Sequence, residues 1–354
     1  MPASKVTIAE LPRLFQRQFS RCAVKAGEVI VLLTDHNTSR EMVQAAFVAA
    51  HALGAEAFEV GLSRSLDLQR VGHDGPGASK GLMGALQSAH LLCTFFPPNL
   101  SPWLAECRKG GTRVLSITDK PDQLKRLEAP DGTKEAVLHA GRRYREAKTI
   151  RVTSDAGTDL TWRRGDPKWS ELRTYYGYAD VPGHFDQWGM AMVADFPDEG
   201  TTEGVVVIKP GDLWILPYVR AVESEIWLEV RNGYIRSIRG GLDAKAFRDW
   251  LDRNRRSADD MDPYAVSHLG FGLHPNAFWD DVLTYGNSVT DLTMAARCYA
   301  GNFLFSTGPG PHRRTKGHID MPMSDCTLSF DSEVFIADGK ILDPLAQIKP
   351  GSRA

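Results

Sequence analysis

Two adjoining stretches decide the fold class: VIVLLTD (Val29–Asp35) and SREMVQAAFVAAHALGA (Ser39–Ala55). The first stretch is apolar without interruption until it reaches Thr34, which is typical of a fully buried strand that ends at a polar loop. The second stretch carries apolar residues at helical spacing, and Ser39 is a suitable N-cap residue. A buried strand that leads into a helix indicates an α/β arrangement.

Further strands and helices alternate on both sides of this unit up to about residue 148. We predict strands in AEAFEVGL, AHLLCTFF and GTRVLSIT, and a final helix in TKEAVLHAGRRYREAKTI. The pattern predicts an α/β N-terminal domain over residues 1–148, with an open parallel sheet covered by helices. Neither GxGxxG after a strand nor GxxxxGK[ST] occurs, so the sequence gives no support for a nucleotide site.

From residue 149 onward, the sequence reads mainly as antiparallel sheet. TIRVTSDAGTDLTWRRG alternates with period two around a glycine turn, and EGVVVIKPGDLWI and CTLSFDSEVFIADGKILD are similar. Asn232-Gly233 and Asp338-Gly339 are strong hairpin signals, and DAKAFRDWLDRN predicts one clear helix. We therefore predict a β-rich (α+β) C-terminal domain over residues 149–354 that carries the catalytic site.

Composition limits the classes of partner. The chain has 354 residues, 42% hydrophobic and 24% charged, with a formal net charge of −2, which is typical of a globular protein and gives no basic block for nucleic acid. No apolar run approaches the roughly 18 residues of a membrane span, and the N-terminal segment lacks a signal-peptide pattern. The five scattered cysteines lack CxxC spacing, so we expect a reducing, cytoplasmic setting.

A His and an Asp two residues apart mark the candidate site, in TKGHIDMPMSDCTLSFD (Thr315–Asp331). His318 and Asp320 would project from the same face of a strand. His268 lies in a second glycine-rich stretch, AVSHLGFGLHPNAFW, and Ser306 in a third, YAGNFLFSTGPG. Two imidazoles and one carboxylate form the facial triad of non-haem Fe(II) oxygenases, and the same set suits Zn or Mn in a hydrolase. A polar structural cluster is the alternative interpretation.

Several long motifs then occur in one order: YGYADVPGHFDQW, EGVVV, SHLGFGL, GNFLFSTGP and GHIDMP. In these motifs the chain resembles the 2,5-dihydroxypyridine 5,6-dioxygenase family, and more distantly the thermophilic leucyl aminopeptidases that share its fold. The resemblance implies Fe(II)-dependent, extradiol-type cleavage of 2,5-dihydroxypyridine to N-formylmaleamate with O2, in bacterial nicotinate degradation. It also implies a homo-oligomer. The family's iron ligands fall on His268, His318 and Asp320, and a substrate-contacting Ser falls on Ser306.

Three substrate-binding positions depart from the family pattern. Leu100 stands where the family has an acid/base His, Tyr175 stands in place of a Glu, and Gln187 stands in place of a His. Because all three replacements are neutral at pH 7, the resemblance leaves the exact ring substrate and the acid/base open. By motif, the nearest substitute for the acid/base is His184, which titrates near neutrality when unperturbed.

Two other functions stay open. An aminopeptidase-type hydrolase would need carboxylate ligands for a second metal, and Glu203, Glu223 and Glu225 are the candidates. A non-catalytic binding protein on the same fold would lack a metal. Four aromatic residues are candidates either for the walls of a substrate pocket or for the ordinary core: Phe271, Trp279, Phe303 and Phe305.

Overall fold

The computed structural model describes residues 5–63, 75–98, 101–285 and 294–350. Within these residues the helices are α1 (Leu11–Arg21), α2 (Arg40–Ala52), α3 (Lys80–Gln87), α4 (Pro102–Lys109), α5 (Pro121–Arg126), α6 (Thr133–Glu146), α7 (Leu242–Arg253) and α8 (Asp281–Tyr285). The strands are β1 (Val29–Thr34), β2 (Glu56–Gly61), β3 (Leu91–Thr94), β4 (Arg113–Ser116), β5 (Thr149–Thr153), β6 (Asp159–Arg163), β7 (Arg173–Tyr175), β8 (Phe185–Gln187), β9 (Met192–Asp195), β10 (Glu203–Ile208), β11 (Leu213–Trp214), β12 (Arg220–Ala221), β13 (Ile226–Arg231), β14 (Tyr234–Gly240), β15 (Leu269–Gly272), β16 (Phe303–Thr307), β17 (Ile319–Met323), β18 (Thr327–Phe330), β19 (Glu333–Ala337) and β20 (Lys340–Ile341).

These elements belong to two compact units, each made of two segments. The first unit comprises Met1–Ala129 and Tyr175–Met190, and the second comprises Pro130–Thr174 and Ala191–Ala354. The boundary between independently folding domains at residues 148 and 149 stays a prediction. No helix in the described part of the chain is both long enough and apolar enough to cross a bilayer.

The first unit is an open parallel sheet with strand order β2-β1-β3-β4-β8. Along β1, Ile30 and Leu32 join a core cluster with residues of α1 and α2. Val31 and Leu33 join a second cluster with residues of α3 and α4. Both faces of β1 are therefore covered, which explains its uninterrupted apolar sequence. The predicted fold class is confirmed for this unit, and the side chain of Ser39 caps α2 as expected.

The second unit holds two antiparallel sheets and a small hairpin. An eight-stranded sheet has the order β14-β13-β10-β6-β5-β18-β19-β20, and a five-stranded sheet has the order β17-β16-β15-β9-β7. Both predicted hairpin turns form, with positive φ at Asn232 and Gly233 and at Asp338 and Gly339. The β-rich character predicted for the second half of the chain is therefore confirmed.

The candidate pocket aromatics of this unit have packing partners in its interior. The ring of Phe271 lies 5.3 Å from that of Phe335, and the ring of Phe303 stacks at 6.0 Å on Trp162. Phe305 is fully buried in β16. These three rings are therefore part of the core that supports the five-stranded sheet, which agrees with the interpretation of them as ordinary core residues. Trp279 differs, because its indole N–H donates to the Gly211 carbonyl.

Candidate metal centre

The three candidate ligands come together because two strands share one neighbour. β15 and β17 each pair antiparallel with β16, so they run in the same direction and begin at the same edge of the sheet. His268 directly precedes β15 and His318 directly precedes β17, while Asp320 is the second residue of β17. Residues distant in sequence therefore reach one edge through strand direction alone.

Register places these residues at one level of the sheet. Ser306 is paired with Asp320 across β16 and β17. Gly270 is paired with Leu304 across β15 and β16, so continuing that register brings His268 opposite Ser306. Directly opposite residues point to the same face of a sheet. Because the central residue is a small Ser, the two flanking side chains can approach each other over it.

The donor atoms are already close to the spacing that one metal ion requires. Nε2 of His318 lies 3.2 Å from Oδ1 of Asp320, and Nε2 of His268 lies 3.5 Å from the same oxygen. One ligand atom from each residue lies within 4.8 Å of the other two. Adjacent ligands about 2.1 Å from an octahedral ion are about 3.0 Å apart. The three side chains can therefore occupy one face of a single ion.

Hydrogen bonding gives His318 the tautomer of a metal ligand. Its Nδ1 lies 2.7 Å from the carbonyl oxygen of Thr307, which can only accept a hydrogen bond. Nδ1 therefore carries a proton, which leaves Nε2, the nitrogen that faces the carboxylate of Asp320, as the one available to a metal. A backbone carbonyl that fixes the second ring nitrogen is the usual support of a metal-binding His.

Burial and charge give the other two ligands the protonation states that a metal requires. Burial lowers the pKa of His268 to about 3, so its ring is neutral at pH 7. Burial alone would raise the pKa of Asp320, but the Arg297 guanidinium, 2.7 Å from Oδ2, outweighs it and holds that pKa well below its ordinary value. The site therefore offers a neutral imidazole at His268 and a carboxylate at Asp320.

Comparison with a structural carboxylate shows that Asp320 suits a cation. Asp195 is equally buried, but its oxygens accept hydrogen bonds from the backbone N–H groups of Glu171 and Phe196 and from the side chain of Arg164. Both oxygens of Asp320 are buried, and neither makes a hydrogen bond of normal geometry with the described residues. Buried acceptors are normally satisfied, so this carboxylate fits a metal ion.

Ser306 and the second-metal candidates have other partners. The Ser306 hydroxyl donates to the carbonyl oxygen of His268, and its contact with substrate stays a prediction. Glu203 accepts from the backbone N–H of Asn232 at 2.6 Å, while Glu223 and Glu225 are exposed. Within the part of the chain that the structure describes, His268, His318 and Asp320 form the one group suited to a metal.

The remaining predicted site residues lie in the first unit or outside the described residues. Nε2 of His184 lies 3.0 Å from Oδ2 of the buried Asp186, and its ring stacks on Tyr176 at a centroid distance of 4.7 Å. The side-chain amide of Gln187 donates to the Thr118 hydroxyl at 2.8 Å. The catalytic role of His184 and the substrate contact of Gln187 stay predictions.

Two further positions complete this set. The ring of Tyr175 meets that of Phe185 edge-on at 5.9 Å, and its contact with substrate stays a prediction. Leu100 lies outside the described residues.

Sequence reasoning missed Arg297. Its Nη2 atom lies 2.7 Å from Oδ2 of Asp320, and both side chains are buried. The only sequence signal is one Arg among small and apolar residues in MAARCYAG (Met294–Gly301). Such an Arg is usually an exposed residue, so the motif alone does not identify it.

Metal-free protein should lose stability on mild acidification because of His268. The pKa of His268 in the folded protein is about 3, against an ordinary value of 6.5. Between these two pH values the imidazole is protonated in the unfolded chain and neutral in the folded protein. One such proton lowers the free energy of unfolding by about 1.4 kcal/mol per pH unit. Urea unfolding at pH 7 and pH 5 should show a larger loss in wild type than in His268→Asn. His312, which is exposed, supplies the control: His312→Asn should behave as wild type, and equal losses in all three proteins would contradict the expectation.

Comparison with known proteins identifies the same family that the sequence motifs suggested. Residues 10–343 match the family described as NicX, 2,5-dihydroxypyridine 5,6-dioxygenase. The 2,5-dihydroxypyridine 5,6-dioxygenase of Pseudomonas putida KT2440 is 31% identical over 97% of this chain and 98% of its own length.

Solved structures extend the likeness to the fold. The 2,5-dihydroxypyridine dioxygenase structure from the same organism has a TM-score of 0.90 at 29% identity, over 97% of this chain and 100% of that one. AmpT from Thermus thermophilus, at 12% identity and a TM-score of 0.62 over 95% of this chain and 99% of its own, shares the fold. The chain belongs to the 2,5-dihydroxypyridine 5,6-dioxygenase family and is a dioxygenase, an oxidoreductase.

Proposed function

We propose that this protein is an Fe(II)-dependent dioxygenase that uses O2 to cleave the ring of 2,5-dihydroxypyridine or a closely related hydroxylated aromatic. One observation carries the proposal: in a chain of this family, the ligand atoms of His268, His318 and Asp320 lie within 4.8 Å of one another. Two imidazoles and one carboxylate leave open positions on iron, as oxygenases require. Mn or Zn would fit the same donors.

In this proposal, His268, His318 and Asp320 hold the iron. When bound, the iron supplies the redox chemistry through which O2 reacts with an aromatic ring. The protein contributes a nearly dry site, because His268 and His318 are 7% and 3% exposed and Asp320 is fully buried. The small exposure of the imidazoles keeps bulk water away from the donor atoms.

Positive charge near the site suits a substrate that has lost a proton. The guanidinium groups of Arg173 and Arg297 both act to lower the pKa of His268, so each lies close enough for its charge to reach the site. Arg173 lies 5.0 Å over the ring of Phe196, and that ring lies 6.0 Å from the ring of His268. A nearby cation favours an ionised hydroxyl, so we assign Arg173 the task of stabilising the deprotonated ring oxygen.

We further propose that His184 handles protons in place of the family's His, whose position Leu100 takes. The support is local: the hydrogen bond between Nε2 of His184 and Asp186 fixes the ring and leaves Nδ1 as an acceptor. A carboxylate behind an imidazole orients a general base in this way.

The proposal places the enzyme in nicotinate degradation in the cytoplasm, as a homo-oligomer. Light scattering of the purified protein would test the assembly.

The hydrolase and binding-protein alternatives make different predictions about metal content. A hydrolase of the aminopeptidase type needs two bridged metals, and a binding protein needs none. The described residues offer one group of donors, which favours a mononuclear centre. Neither alternative has an observation of its own in its favour.

One metal ion per chain should be bound, and each ligand should be needed to hold it. His268→Ala, His318→Ala and Asp320→Ala should each lose bound iron and ring cleavage while the circular dichroism spectrum of the fold persists, because three protein ligands define this site. Metal analysis after anaerobic reconstitution with Fe(II) provides the measurement. Glu203→Ala, which removes a hydrolase candidate, is the matched control and should keep one iron. Two ions per chain, or full occupancy in His318→Ala, would contradict the proposal.

Both atoms of O2 should enter the product. An iron held by His268, His318 and Asp320 would keep positions open for substrate and O2. Turnover of 2,5-dihydroxypyridine under 18O-labelled O2, followed by mass spectrometry of the product, measures the incorporation. Unlabelled product, or turnover without O2, would instead support the hydrolase.

Proton transfer should depend on His184 rather than on position 100. General acid–base help contributes about 10²–10⁴-fold to rate, and Leu100 cannot supply it. His184→Ala should therefore lower kcat by about 10²-fold or more. Leu100→His in that background should restore part of the rate. If His184→Ala has the rate and pH profile of wild type on 2,5-dihydroxypyridine, His184 has only a structural role.

A further inference from the structure

The two oxygens of the Asp320 carboxylate face different groups. Oδ1 lies 3.2 Å from Nε2 of His318 and 3.5 Å from Nε2 of His268. Oδ2 instead lies 2.7 Å from Nη2 of Arg297. The Asp320 side chain is fully buried and that of Arg297 is 8% exposed. Oδ1 thus faces the candidate metal position, and Oδ2 faces a buried cation.

We propose that Arg297 is a positioning residue that holds Oδ2 of Asp320, so that Asp320 binds the metal through Oδ1 alone. A carboxylate can bind a metal through one oxygen or through both. Binding through both would use a position that the facial triad keeps open for substrate and O2. This inference rests on the proposed metal centre and adds to it a residue that sets the number of open positions.

Charge gives the pair a second consequence. Without metal, Arg297 neutralises Asp320, and a buried carboxylate that loses the guanidinium beside it is strongly destabilised. With a divalent metal in place, the guanidinium and the metal repel each other across the carboxylate. Arg297 should therefore stabilise the empty site and weaken its hold on the metal. A residue that only supported the fold would not produce these two opposite effects.

A second buried Arg–Asp pair in the same unit is a matched control. Arg164 and Asp195 are 5% and 0% exposed, with 2.8 Å between Nη2 and Oδ2. Asp195 also accepts hydrogen bonds from the backbone N–H groups of Glu171 and Phe196, so its partners account for both oxygens. Breaking this pair should destabilise the fold without touching the metal ligands.

The test uses the full chain, stripped of metal by a chelator, with Co2+ as the probe. Wild type, Arg297→Met, Arg297→Lys and Arg164→Met are compared by three readings: the Tm without metal, the rise in Tm on adding Co2+, and the d–d absorption of bound Co2+. The rise in Tm reports affinity. The absorptivity falls as the coordination number of Co2+ increases.

For Arg297→Met, we expect a lower Tm without metal and a larger rise with Co2+, which corresponds to binding tighter by about tenfold or more once the repelling charge is gone. Its d–d bands should weaken as Oδ2 joins the metal. Arg297→Lys should restore the spectrum of wild type because it keeps the charge. Arg164→Met should lower Tm without metal but keep both the Co2+ rise and the spectrum.

Three results would overturn the inference. A Co2+ rise and spectrum unchanged in Arg297→Met would make Arg297 purely structural. Weaker Co2+ binding in that variant would mean that Arg297 does not restrain an oxygen. Failure of wild type to bind one Co2+ per chain would overturn the metal centre as well, which separates the two hypotheses. If Arg297→Met does not fold, Arg297→Gln removes the charge with a smaller change in polarity. The same three measurements on that variant then test the inference.

Discussion

The pairing of β15 and β17 with the two sides of β16 is the constraint on which the candidate site depends. Because both outer strands are antiparallel to β16, they begin at one edge of the sheet, and the residues at their starts meet there. Ser306 lies between them in register with Asp320. The pairing of these strands thus also positions the candidate ligands, and the rings of Phe271 and Phe303 pack against Phe335 and Trp162.

The candidate site differs from the rest of the fold in how its buried carboxylate is stabilised. The buried carboxylates of Asp186 and Asp195 accept hydrogen bonds from backbone N–H groups, and each also has a cation or an imidazole beside it. Asp320 has Arg297 and two imidazole nitrogens instead. Burying a carboxylate without hydrogen bonds is costly, so the arrangement at Asp320 is stable only with a cation. Arg297 is that cation in the structure, and the proposed metal would add a second.

Local sequence signals were sufficient for most of the fold. The apolar run of β1 and the Asn-Gly and Asp-Gly turns have local causes, so they could be identified without a structure. The alternation of His318 and Asp320 along one strand is equally local. Other features depend on contacts between distant segments. β8 joins the parallel sheet beside β4, although FDQ has no strand pattern, and neither the Thr307 carbonyl nor Arg297 could be recognised as support for a ligand.

Two of the positions that depart from the family pattern, Tyr175 and Gln187, have partners within the first unit. Gln187 uses its side-chain amide to bind Thr118, and Tyr175 packs its ring against Phe185, so both neutral residues contribute to the packing of the first unit. The side-chain amide of Gln187 has no titratable proton at pH 7. The structure instead retains one imidazole in this segment with a carboxylate behind it, His184 with Asp186. The carboxylate of Asp186 fixes the orientation of that ring, which is the arrangement that the proposed proton transfer requires.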